Sequence, residues 1–541
     1  MKANDPSTES TRVLIVGGGP VGLAMALLLD RFNIPFVLLE RSKSTTDHPK
    51  SRGCWIRTME LFRQWGIEDR IRARGLADKT DIFVYVESIA GREIGRTNPE
   101  PDHQHTPAWK CLVAQDAVEE ELLAVASRST CGQILFSTEC VSFETTDTEV
   151  HVTARDTQTG AMRRWRADYL IGADGAGSSV RKQLGIEFRG PATIAVMAND
   201  YWRADLSHLP VARQAAGFRV IPEDCSLPVA TILNTNGRDR WLTVSQIGEQ
   251  QDERPSPWTD EDVVRIARGH TGIPDLEVEI INRSIWRVSR QVAASLRHGR
   301  VFLIGDAAHR FPPTGGFGLN SGVQDAHNLA WKLAYVLRGH ATDALLDSYD
   351  LERRPVAESN ADFSYGNRLR YAHVEAAVRS GDEDRISFWI NDTDNHLHSI
   401  GQAIGFSYEE GAVIPDGTVR KPLDSREYHP TDRPGARFPH LWLDTARKHS
   451  TLDWFDHDFV LVCGPLGAES WSEAAAQAGS GGLPLDVQVL EQTHPAKGIL
   501  MGSRGAVLVR PDGHVCWRMA WLPPKPGDIL TQALRTIAGY Q

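Results

Sequence analysis

Residues 13–40 read VLIVGGGPVGLAMALLLDRFNIPFVLLE, and this stretch decides the fold of the first part of the chain. An apolar strand at 13–16 leads into the glycine-rich turn 17–22, an apolar helix and a second apolar strand that ends at Glu40. A GxGxxG turn between strand and helix, with an acid 18 residues after the last glycine, is typical of a dinucleotide-binding βαβ unit. The sequence therefore predicts a dinucleotide site, the alternative being a purely structural glycine turn.

Each residue of the turn has a physical reason to be there. Gly17 permits the tight turn, Gly19 lets the backbone approach a pyrophosphate, and Gly22 lets helix and strand pack closely. Pro20 suits the first helical turn, where its missing N–H costs nothing, and the remaining N–H groups there can bind phosphate oxygens. Glu40 can accept hydrogen bonds from ribose hydroxyls.

Composition limits the class of protein. The 541 residues, 41% of them hydrophobic and 24% charged, indicate a soluble globular chain of two or three domains. Because the formal net charge is −11, we expect neither nucleic acid nor an anionic membrane surface as a partner. The apolar helix 21–29 is too short to span a bilayer, and the polar first eleven residues predict no secretory signal.

The seven cysteines are scattered, and no two of them form a CxxC pair. This pattern indicates neither a redox dithiol nor a cysteine metal knuckle, and it fits a reducing, cytoplasmic compartment. We therefore expect no metal site.

Two further motifs place acids at the carboxyl ends of strands. In 168–181 a strand ends in a turn containing Asp174, for which a plain strand-to-helix turn is an alternative interpretation. The buried strand 301–304 delivers Asp306 to a position where it can bind a polyol hydroxyl of a cofactor. The stretch PPTGGFGLN at 312–320 then brings backbone close to a flat ligand, and the following helix N-terminus can stabilise the charge of a reduced flavin.

Hydrophobic periodicity outlines the rest of the chain. We predict helices near 51–75, 113–128, 320–338 and 345–410, strands near 141–155, 163–172 and 301–304, and a strand-rich region at 190–290. A stretch rich in Pro, Gly and Asp at 412–436 is typical of a linker, and 437–541 has an apolar core of its own. We therefore expect removal of 437–541 to leave flavin binding largely intact.

Taken in this order, the GxGxxG…E, GADG…SSVR and GRVFLIGDAAH…PPxxGxGLN motifs resemble those of the FAD-dependent aromatic hydroxylases of the p-hydroxybenzoate hydroxylase superfamily. The resemblance covers about residues 10–370. The C-terminal part is similar to the thioredoxin-like tail of the phenol and 3-(3-hydroxyphenyl)propionate hydroxylase branch. Since this tail lacks a CxxC pair, we expect it to have a structural role, such as dimer packing.

The resemblance implies an α/β fold class, α+β overall, with a Rossmann-like FAD-binding domain, an inserted β-sheet substrate domain and a C-terminal thioredoxin-like domain. The implied boundaries are 10–190 and 285–365 for the FAD-binding domain, with 80–110 contributing to the substrate side, 190–285 for the substrate-binding sheet, 365–435 for a helical segment and linker, and 437–541 for the tail.

The resemblance also implies which residues hold FAD. It places the pyrophosphate at Gly17, Gly19 and Gly22, with Pro20 and Val21 also binding the cofactor, the adenosine ribose at Glu40 and the adenine at Arg41. It places the ribityl–phosphate region at Arg52 and Gln115 and the ribityl chain at Asp306. It places the groove shared with the nicotinamide cofactor at Asp174, and the isoalloxazine edge at Gly318, Leu319 and Asn320. Arg52 as a surface ion-pair residue and Gln115 as a helix-start residue are the alternatives. Pro313 would place its carbonyl near the substrate, and His309 would pack near the flavin loop. The catalytic base is not identified.

The implied activity is that of an NAD(P)H- and FAD-dependent monooxygenase, which hydroxylates a phenolic or other aromatic substrate with O2 through a flavin C4a-hydroperoxide. Because the chain has a single GxGxxG motif, NADH or NADPH would visit a groove near the flavin transiently. We expect a homodimer that acts on a small aromatic molecule. The candidate substrate residues in the inserted sheet are Tyr201, Trp202, Phe218, Arg219, Trp241 and Trp286.

Purely structural roles for these residues, and other functions for the protein, stay open at this point. Aromatic residues at alternating strand positions also form ordinary cores, and Arg219 can pair with a substrate carboxylate or with a structural acid. The same cofactor motifs serve Baeyer–Villiger oxidation and the hydroxylation of polyketide or antibiotic-like substrates. A flavin-binding protein without oxygenase activity is a third hypothesis, against which the intact PPxxGxGLN loop argues.

Overall fold

The computed structural model describes residues 8–77, 80–101, 104–248, 258–479, 482–491 and 498–540. The α-helices within these ranges are α1 (Pro20–Arg31), α2 (Ile56–Gln64), α3 (Glu68–Arg72), α4 (Gln115–Ala126), α5 (Ser179–Gln183), α6 (Pro210–Gln214), α7 (Asp260–Thr271), α8 (Phe317–Leu337), α9 (Ser348–Ser380), α10 (Glu383–Asp392), α11 (Ile400–Ile404), α12 (Ala468–Gly479) and α13 (Pro526–Ile537).

The strands are β1 (Thr8–Val16), β2 (Phe36–Leu39), β3 (Arg52–Cys54), β4 (Phe83–Val86), β5 (Glu93–Arg96), β6 (Cys111–Ala114), β7 (Gly132–Leu135), β8 (Thr138–Thr145), β9 (Val150–Asp156), β10 (Met162–Gly172), β11 (Phe188–Arg189), β12 (Ala195–Arg203), β13 (Gly217–Val220), β14 (Ala230–Asn234), β15 (Arg240–Gly248), β16 (Glu279–Val288), β17 (Gln291–Ala293), β18 (Arg297–His298), β19 (Val301–Leu303), β20 (His309–Arg310), β21 (Phe459–Cys463), β22 (Leu485–Val489), β23 (Ala506–Val509) and β24 (Val515–Met519).

The first sheet is the dinucleotide-binding sheet that the glycine-rich turn predicts. Its order is β18-β19-β10-β1-β2-β7, and β19, β10, β1, β2 and β7 run parallel to their neighbours in this series. Val13 of β1 lies opposite Phe36 of β2 and Tyr169 of β10. Because parallel strands end at the same edge, the residues that follow β1, β2, β10 and β19 meet there.

The second sheet has the order β16-β12-β15-β14-β13-β4-β5. It contains the strands of 195–288 and two strands from 83–96, which join it through the parallel pair β13–β4. One face buries an apolar cluster that includes Trp202, Phe218 and Ala267 of α7. The opposite face is turned toward the loop that follows β2 and toward α9, since Ser284 approaches His48 and Arg219 lies near Glu375.

Some predicted boundaries are wrong. The single strand expected near 141–155 is the hairpin β8–β9, since Thr146 N donates to Glu149 O at 2.9 Å and closes a turn there. The helix expected over 51–75 begins with the short strand β3 and is divided between α2 and α3 by Gly66, whose φ is +73°. The stretch 412–436 contains no helix or strand, as predicted.

The C-terminal sheet has the order β22-β21-β23-β24. The strands β21 and β22 are parallel and are connected through α12, whereas β23 and β24 form an antiparallel pair followed by α13. This βαβ unit followed by a ββα unit is the thioredoxin-like arrangement that the sequence predicts. The described part of the chain contains no disulfide bond.

The tail packs against the rest of the chain through buried contacts that the linker-like sequence did not predict. Arg437 donates to both carboxylate oxygens of Glu60 on α2, at 2.5 and 3.0 Å, and all of these groups are buried. Phe459 of β21 packs edge-on against Trp331 of α8 at 5.7 Å. Removing the tail would expose this core and take from Glu60 its bidentate partner, leaving Arg57 as its ion-pair partner.

No helix in the described residues is both long and apolar enough to cross a membrane. The same residues contain no group of three or more His, Cys, Asp or Glu side chains that could hold a metal ion.

The carboxylate of Asp200 on β12 offers a test of the second sheet. The residue is 2% exposed, neither of its oxygens has a hydrogen-bond partner in the described part of the chain, and burial raises its pKa to about 6. Ionisation above that pH therefore destabilises the folded state relative to the unfolded chain, in which the carboxyl group titrates near its ordinary value.

We expect Asp200→Asn to raise the free energy of unfolding at pH 7.5 by about 1–3 kcal/mol. The gain should shrink as the pH falls from about 6 toward 4, because the wild-type carboxyl group is then neutral in the folded state. Urea denaturation at pH 7.5 and at about pH 4 measures this gain in the free energy of unfolding. Asp275→Asn, at an exposed position, is the control. An equal gain at both pH values would contradict the burial argument.

Candidate functional site

The glycine-rich turn lies at the carboxyl edge of the first sheet. Gly17 has a φ of +113°, and a Cβ there would lie 2.3 Å from the carbonyl oxygen of Ala173. A Cβ at Gly22 would lie 1.9 Å from the carbonyl oxygen of Gly17, so both positions require glycine for the fold itself. A Cβ at Gly19 would meet nothing within 4 Å. Gly19 therefore faces open space at the start of α1, where a phosphate group fits.

Glu40 closes the same turn from β2. Its carboxylate accepts hydrogen bonds from the backbone N–H of Gly18 at 2.6 Å and of Ser42 at 2.7 Å. The side chain remains half-exposed, and Arg41 beside it is exposed. A carboxylate has about four acceptor positions, so Glu40 can hold the turn and still accept from ribose hydroxyls.

Asp174 follows β10 at the same edge and caps α5. Its Oδ2 accepts from the backbone N–H of Ser179 at 2.6 Å and of Val180 at 3.1 Å. Its Oδ1 is buried and has no hydrogen-bond partner in the described part of the chain. The residue thus serves the strand-to-helix turn and lies beside Gly17, but a contact with a nicotinamide cofactor stays a prediction.

Asp306 follows β19 in a single 3-10 turn, Gly305–Ala307. A Cβ at Gly318, in the first turn of α8, would lie 3.9 Å from Asp306 Oδ1, so the carboxylate stands beside that helix start. Solvent reaches the side chain of Asp306, which lies in a recess. Burial in this recess raises the pKa of the carboxyl group, although His309 and Arg310 nearby act to lower it. An acid in such a recess is suited to hydroxyl donors, which favour the ionised form by hydrogen bonding.

The loop before α8 is fixed from below. The ring of Trp55 lies against Gly316, whose φ is +67°, and Trp55 Nε1 donates to Gly315 O at 2.9 Å. The buried side chain of Asn320 accepts from Trp55 N at 2.8 Å and donates to Gly53 O at 3.0 Å. Because the side-chain amide of Asn320 is already hydrogen-bonded in this way, only the backbone of this residue can contact a ligand on the solvent side of the loop.

The first turn of α8 has no side-chain cap, so its N–H groups remain available to an anion. Pro313 is exposed, as expected for a residue near the substrate. Its carbonyl accepts from Gly316 N at 3.0 Å, and a contact with substrate stays a prediction.

A buried ion pair lies beneath the turn of Asp306. His309 Nε2 is 2.7 Å from Asp325 Oδ2, and its ring is stacked on Phe311 at 4.7 Å. Arg353 Nε donates to the other oxygen of Asp325 at 2.8 Å. Burial alone would raise the pKa of Asp325, but its interactions with His309 and Arg353 lower it. His309 is fully buried, and its place beside a bound flavin stays a prediction.

Arg52 and Gln115 lie near the same edge in different settings. Arg52 donates to the carbonyl oxygens of Ala216 and, at 2.8 Å, of Asn234, so its guanidinium holds the second sheet. Burial lowers its pKa to about 10. Gln115 begins α4 and donates to Glu119 at 2.8 Å. Their contacts with the ribityl–phosphate region of a cofactor stay predictions.

The structure divides the candidate substrate residues between two faces of the second sheet. Tyr201, Arg219 and Trp286 lie on the face toward the first sheet and α9, where Arg219 is 3.7 Å from Glu375. Phe218 and Trp241, with Trp202 beside them, lie on the opposite face in the core under α7. Because two faces of one sheet cannot line one pocket, the six candidates cannot all contact one substrate molecule, and Phe218, Trp241 and Trp202 are core residues in this structure.

Sequence reasoning missed a polar cluster around His48, in the loop after β2. His48 Nε2 is 3.1 Å from Ser284 Oγ, and its ring packs edge-on against Tyr201 at 6.1 Å. Asn199, which also approaches His48, accepts from Trp286 Nε1 at 2.8 Å. The His-Pro pair at 48–49, nine residues after the end of β2, was the available signal.

These features together fit FAD. The open side of Gly19 suits a pyrophosphate, Glu40 a ribose and Asp306 a polyol chain, while the uncapped start of α8 suits the anionic edge of a reduced flavin. Residues 10–364 match the family described as the FAD binding domain, and residues 431–540 match the aromatic-ring hydroxylase C-terminal family. The chain belongs to the FAD-dependent aromatic hydroxylases.

Full-length relatives agree with this assignment. The 4-methyl-5-nitrocatechol 5-monooxygenase of a Burkholderia species is 34% identical over 558 residues, which cover 98% of each chain. The tetracenomycin A2 monooxygenase-dioxygenase of Streptomyces glaucescens is 34% identical, covering 98% of this chain and 97% of the relative. The flavin-dependent monooxygenase PieE, solved with FAD and substrate, superposes with a TM-score of 0.90 at 32% identity, covering 99% of this chain and 100% of PieE. This hydroxylase is therefore an FAD-dependent monooxygenase.

Two glycines of the turn separate cofactor binding from folding. We expect Gly19→Ala to leave the stability of the flavin-free chain unchanged and to weaken FAD binding by about tenfold or more, since the new methyl group projects into the space for phosphate. Gly22→Ala, which would clash with Gly17 O, should lower the free energy of unfolding by about 3 kcal/mol or more. Thermal denaturation and FAD fluorescence titration distinguish the two. A loss of stability in Gly19→Ala would show that this side of the turn is not open.

The carboxylate of Asp306 should be needed for FAD. We expect Asp306→Ala to be purified with little or no flavin, because no other acid stands at the start of α8 in the described structure. The flavin-to-protein absorbance ratio measures this, and Asp275→Ala at an exposed position is the control. Full flavin content in Asp306→Ala would contradict the assignment of the ribityl chain.

Proposed function

We propose that this hydroxylase uses NADH or NADPH and O2 to add one oxygen atom to a phenolic ring. The observation that carries the proposal is the placement of Asp306 beside the uncapped N-terminus of α8, facing the same edge as the glycine-rich turn. When bound and reduced, FAD supplies the activation of O2 and the transfer of oxygen to an electron-rich ring.

The chain's own residues position and shield the reaction. Gly17, Gly19 and Gly22, with Pro20 and Val21, would hold the pyrophosphate, and the backbone of 318–320 would support the isoalloxazine edge. The second sheet would cover the ring system and exclude water through Tyr201, Trp286 and the His48 cluster, which are nearly or partly buried on the facing side. Arg219 already pairs with Glu375, which favours its role as a structural residue over recognition of a substrate carboxylate.

The size of the aromatic substrate separates the two leading forms of the proposal. Among the relatives, 4-methyl-5-nitrocatechol 5-monooxygenase and the phenol 2-monooxygenase of a Pseudomonas strain are named for single-ring compounds, and the tetracenomycin enzyme for a larger molecule. An electron-rich phenolic ring is the chemistry that single-ring and polyketide substrates share, so we propose that ring as the site of attack.

A substrate that fits should accelerate NAD(P)H consumption and appear as an oxygenated product. We expect a panel of phenols, catechols and polycyclic phenols to contain compounds that stimulate oxidation at least about tenfold over the rate without substrate, since substrate-gated reduction avoids wasting the reductant. Mass analysis with isotope-labelled O2 should show one labelled atom in the product. A flavin-containing protein that yields only hydrogen peroxide with every compound would contradict the proposal.

A cavity of about 650 Å³ on the second sheet is a candidate place for the phosphates of the reductant. It is lined by Arg203, Asp205, Ser207, Arg213, Asn236, Gly237, Arg238, Asp239 and Arg240. Arg203 is paired with Asp239 and Glu279, but neither Arg213 nor Arg238 forms an ion pair in the described part of the chain. The hairpin that carries Arg238 is tied to Arg52 through Asn234 O, at the end of β14 next to the turn. Guanidinium groups that lie outside direct ion pairs can donate to an anion there.

We expect Arg213→Gln combined with Arg238→Gln to raise the KM for NAD(P)H about tenfold without changing flavin content, because two cationic contacts are removed. Steady-state kinetics at fixed ionic strength measures this, and Arg385→Gln at an exposed position on α10 is the control. A rise in the KM for the aromatic substrate instead would assign the cavity to that substrate.

The domain division, assembly and location follow the same proposal. The FAD-binding part would comprise 10–190 and 285–365, with 80–110 on the substrate side, 190–285 would bind substrate, 365–435 would connect to the tail, and 437–541 would form the tail. This division is supported by the separate sheets. A homodimer in the cytoplasm is proposed on the family resemblance and on the sparse cysteines, and light scattering of the purified chain tests the dimer.

A further inference from the structure

Two consecutive residues of α9 connect the C-terminal domain to the flavin-binding edge. Glu352 and Arg353 are both about 1% exposed. Glu352 faces the tail, where Arg510 donates to Oε1 at 2.7 Å and to Oε2 at 2.9 Å. Arg353 faces α8, where it donates to Asp325 at 2.8 Å. A bidentate guanidinium–carboxylate pair fixes both partners in distance and in angle.

Asp325 passes this constraint to the turn that carries Asp306. One of its oxygens binds Arg353, and the other accepts from Gly305 N at 3.2 Å and lies 2.7 Å from His309 Nε2. Gly305 directly precedes Asp306 in the chain. The hydrogen bond from Gly305 to Asp325 therefore fixes the position of Asp306 relative to α8.

The hydroxyl group of Tyr408 joins the two halves of the network. It accepts from Arg353 Nη1 at 3.3 Å and from Asn328 Nδ2 at 3.4 Å, and Asn328 Nδ2 also donates to Glu352 at 2.7 Å. Tyr408 is 4% exposed. Polar groups buried in this way interact strongly because water does not screen them, and each one is held by its neighbours.

We propose that the C-terminal domain positions Asp306 for FAD through Arg510, Glu352, Arg353 and Asp325. The inference rests on the proposed contact between Asp306 and the ribityl chain. Arg510, Tyr408 and Arg353 are positioning residues in this arrangement, since none of them is exposed to the cofactor side.

A second ion pair between the same parts of the chain provides a matched control. Arg437 of the tail binds Glu60 on α2 through two nitrogens, and both side chains are as deeply buried as Arg510 and Glu352. Glu60 has no hydrogen bond to the turn Gly305–Ala307 in the described structure. A general loss of stability would therefore follow from either arginine, whereas Arg510 alone of the two is connected to the turn Gly305–Ala307 through Glu352, Arg353 and Asp325 in the described structure.

The experiment compares Arg510→Lys with Arg437→Lys in the full-length chain. Each substitution keeps the charge and loses the planar fork, and both should lower the melting temperature. We expect Arg510→Lys to raise the Kd for FAD about tenfold and to change the visible circular dichroism of bound flavin, and Arg437→Lys to change the Kd less than about twofold. Equal shifts of Kd in the two variants, or no shift in either, would overturn the inference.

If Arg510→Lys does not fold, Tyr408→Phe tests whether the buried network positions Asp306. This variant removes only the hydroxyl group and keeps the ring packed on His514, 4.4 Å away. We expect an approximately threefold rise in the Kd for FAD and an altered visible circular dichroism spectrum. An unchanged Kd and spectrum would overturn the inference while Asp306→Ala still loses FAD. If Asp306→Ala retains FAD, the proposed placement of the cofactor fails and the inference falls with it.

Discussion

The alignment of β2, β1, β10 and β19 is the constraint on which the rest of the structure depends. Parallel strands end at one edge, so Glu40, Gly17, Asp174 and Asp306 meet there although long segments separate them in the chain. Parallel pairs need crossover connections, and the longest of these, between β10 and β19, contains most of the second sheet. The connection that closes the first sheet therefore also supplies the surface that covers its ligand.

A second layer of buried charge supports this edge from below. Burial alone would raise the pKa of Glu352, but Arg510 and Lys332 lower it to about 2. Burial lowers the pKa of Lys332 to about 8, against the attraction of Glu352. Such groups stay ionised only while their partners hold them, since an unpaired buried charge costs several kcal/mol. The position of α9 is therefore coupled to both the tail and the flavin-binding turn.

The sequence predicts the features whose cause is local. A few neighbouring residues determine the geometry of each of these features: the glycine-rich turn, Glu40 and the buried strand before Asp306. By contrast, Phe218 and Arg219 are adjacent and point to opposite faces, and nothing in Gly217–Val220 tells which face lies toward the ligand. The Glu60–Arg437 pair joins positions 377 residues apart, so no local pattern reveals it, and the separable tail was predicted for that reason.

The contact between the tail and the rest of the hydroxylase combines apolar packing with buried ion pairs, and these two kinds of interaction respond differently to displacement. An apolar interface such as that of Phe459 with Trp331 adds stability but tolerates small shifts, because dispersion attraction changes slowly with angle. A bidentate ion pair adds little net stability, since desolvation of both charges offsets their attraction. It does penalise any displacement of its partners steeply. Two such pairs beside an apolar contact therefore indicate an interface in which the relative position of the parts matters, and α9 is the element through which that position reaches Asp306.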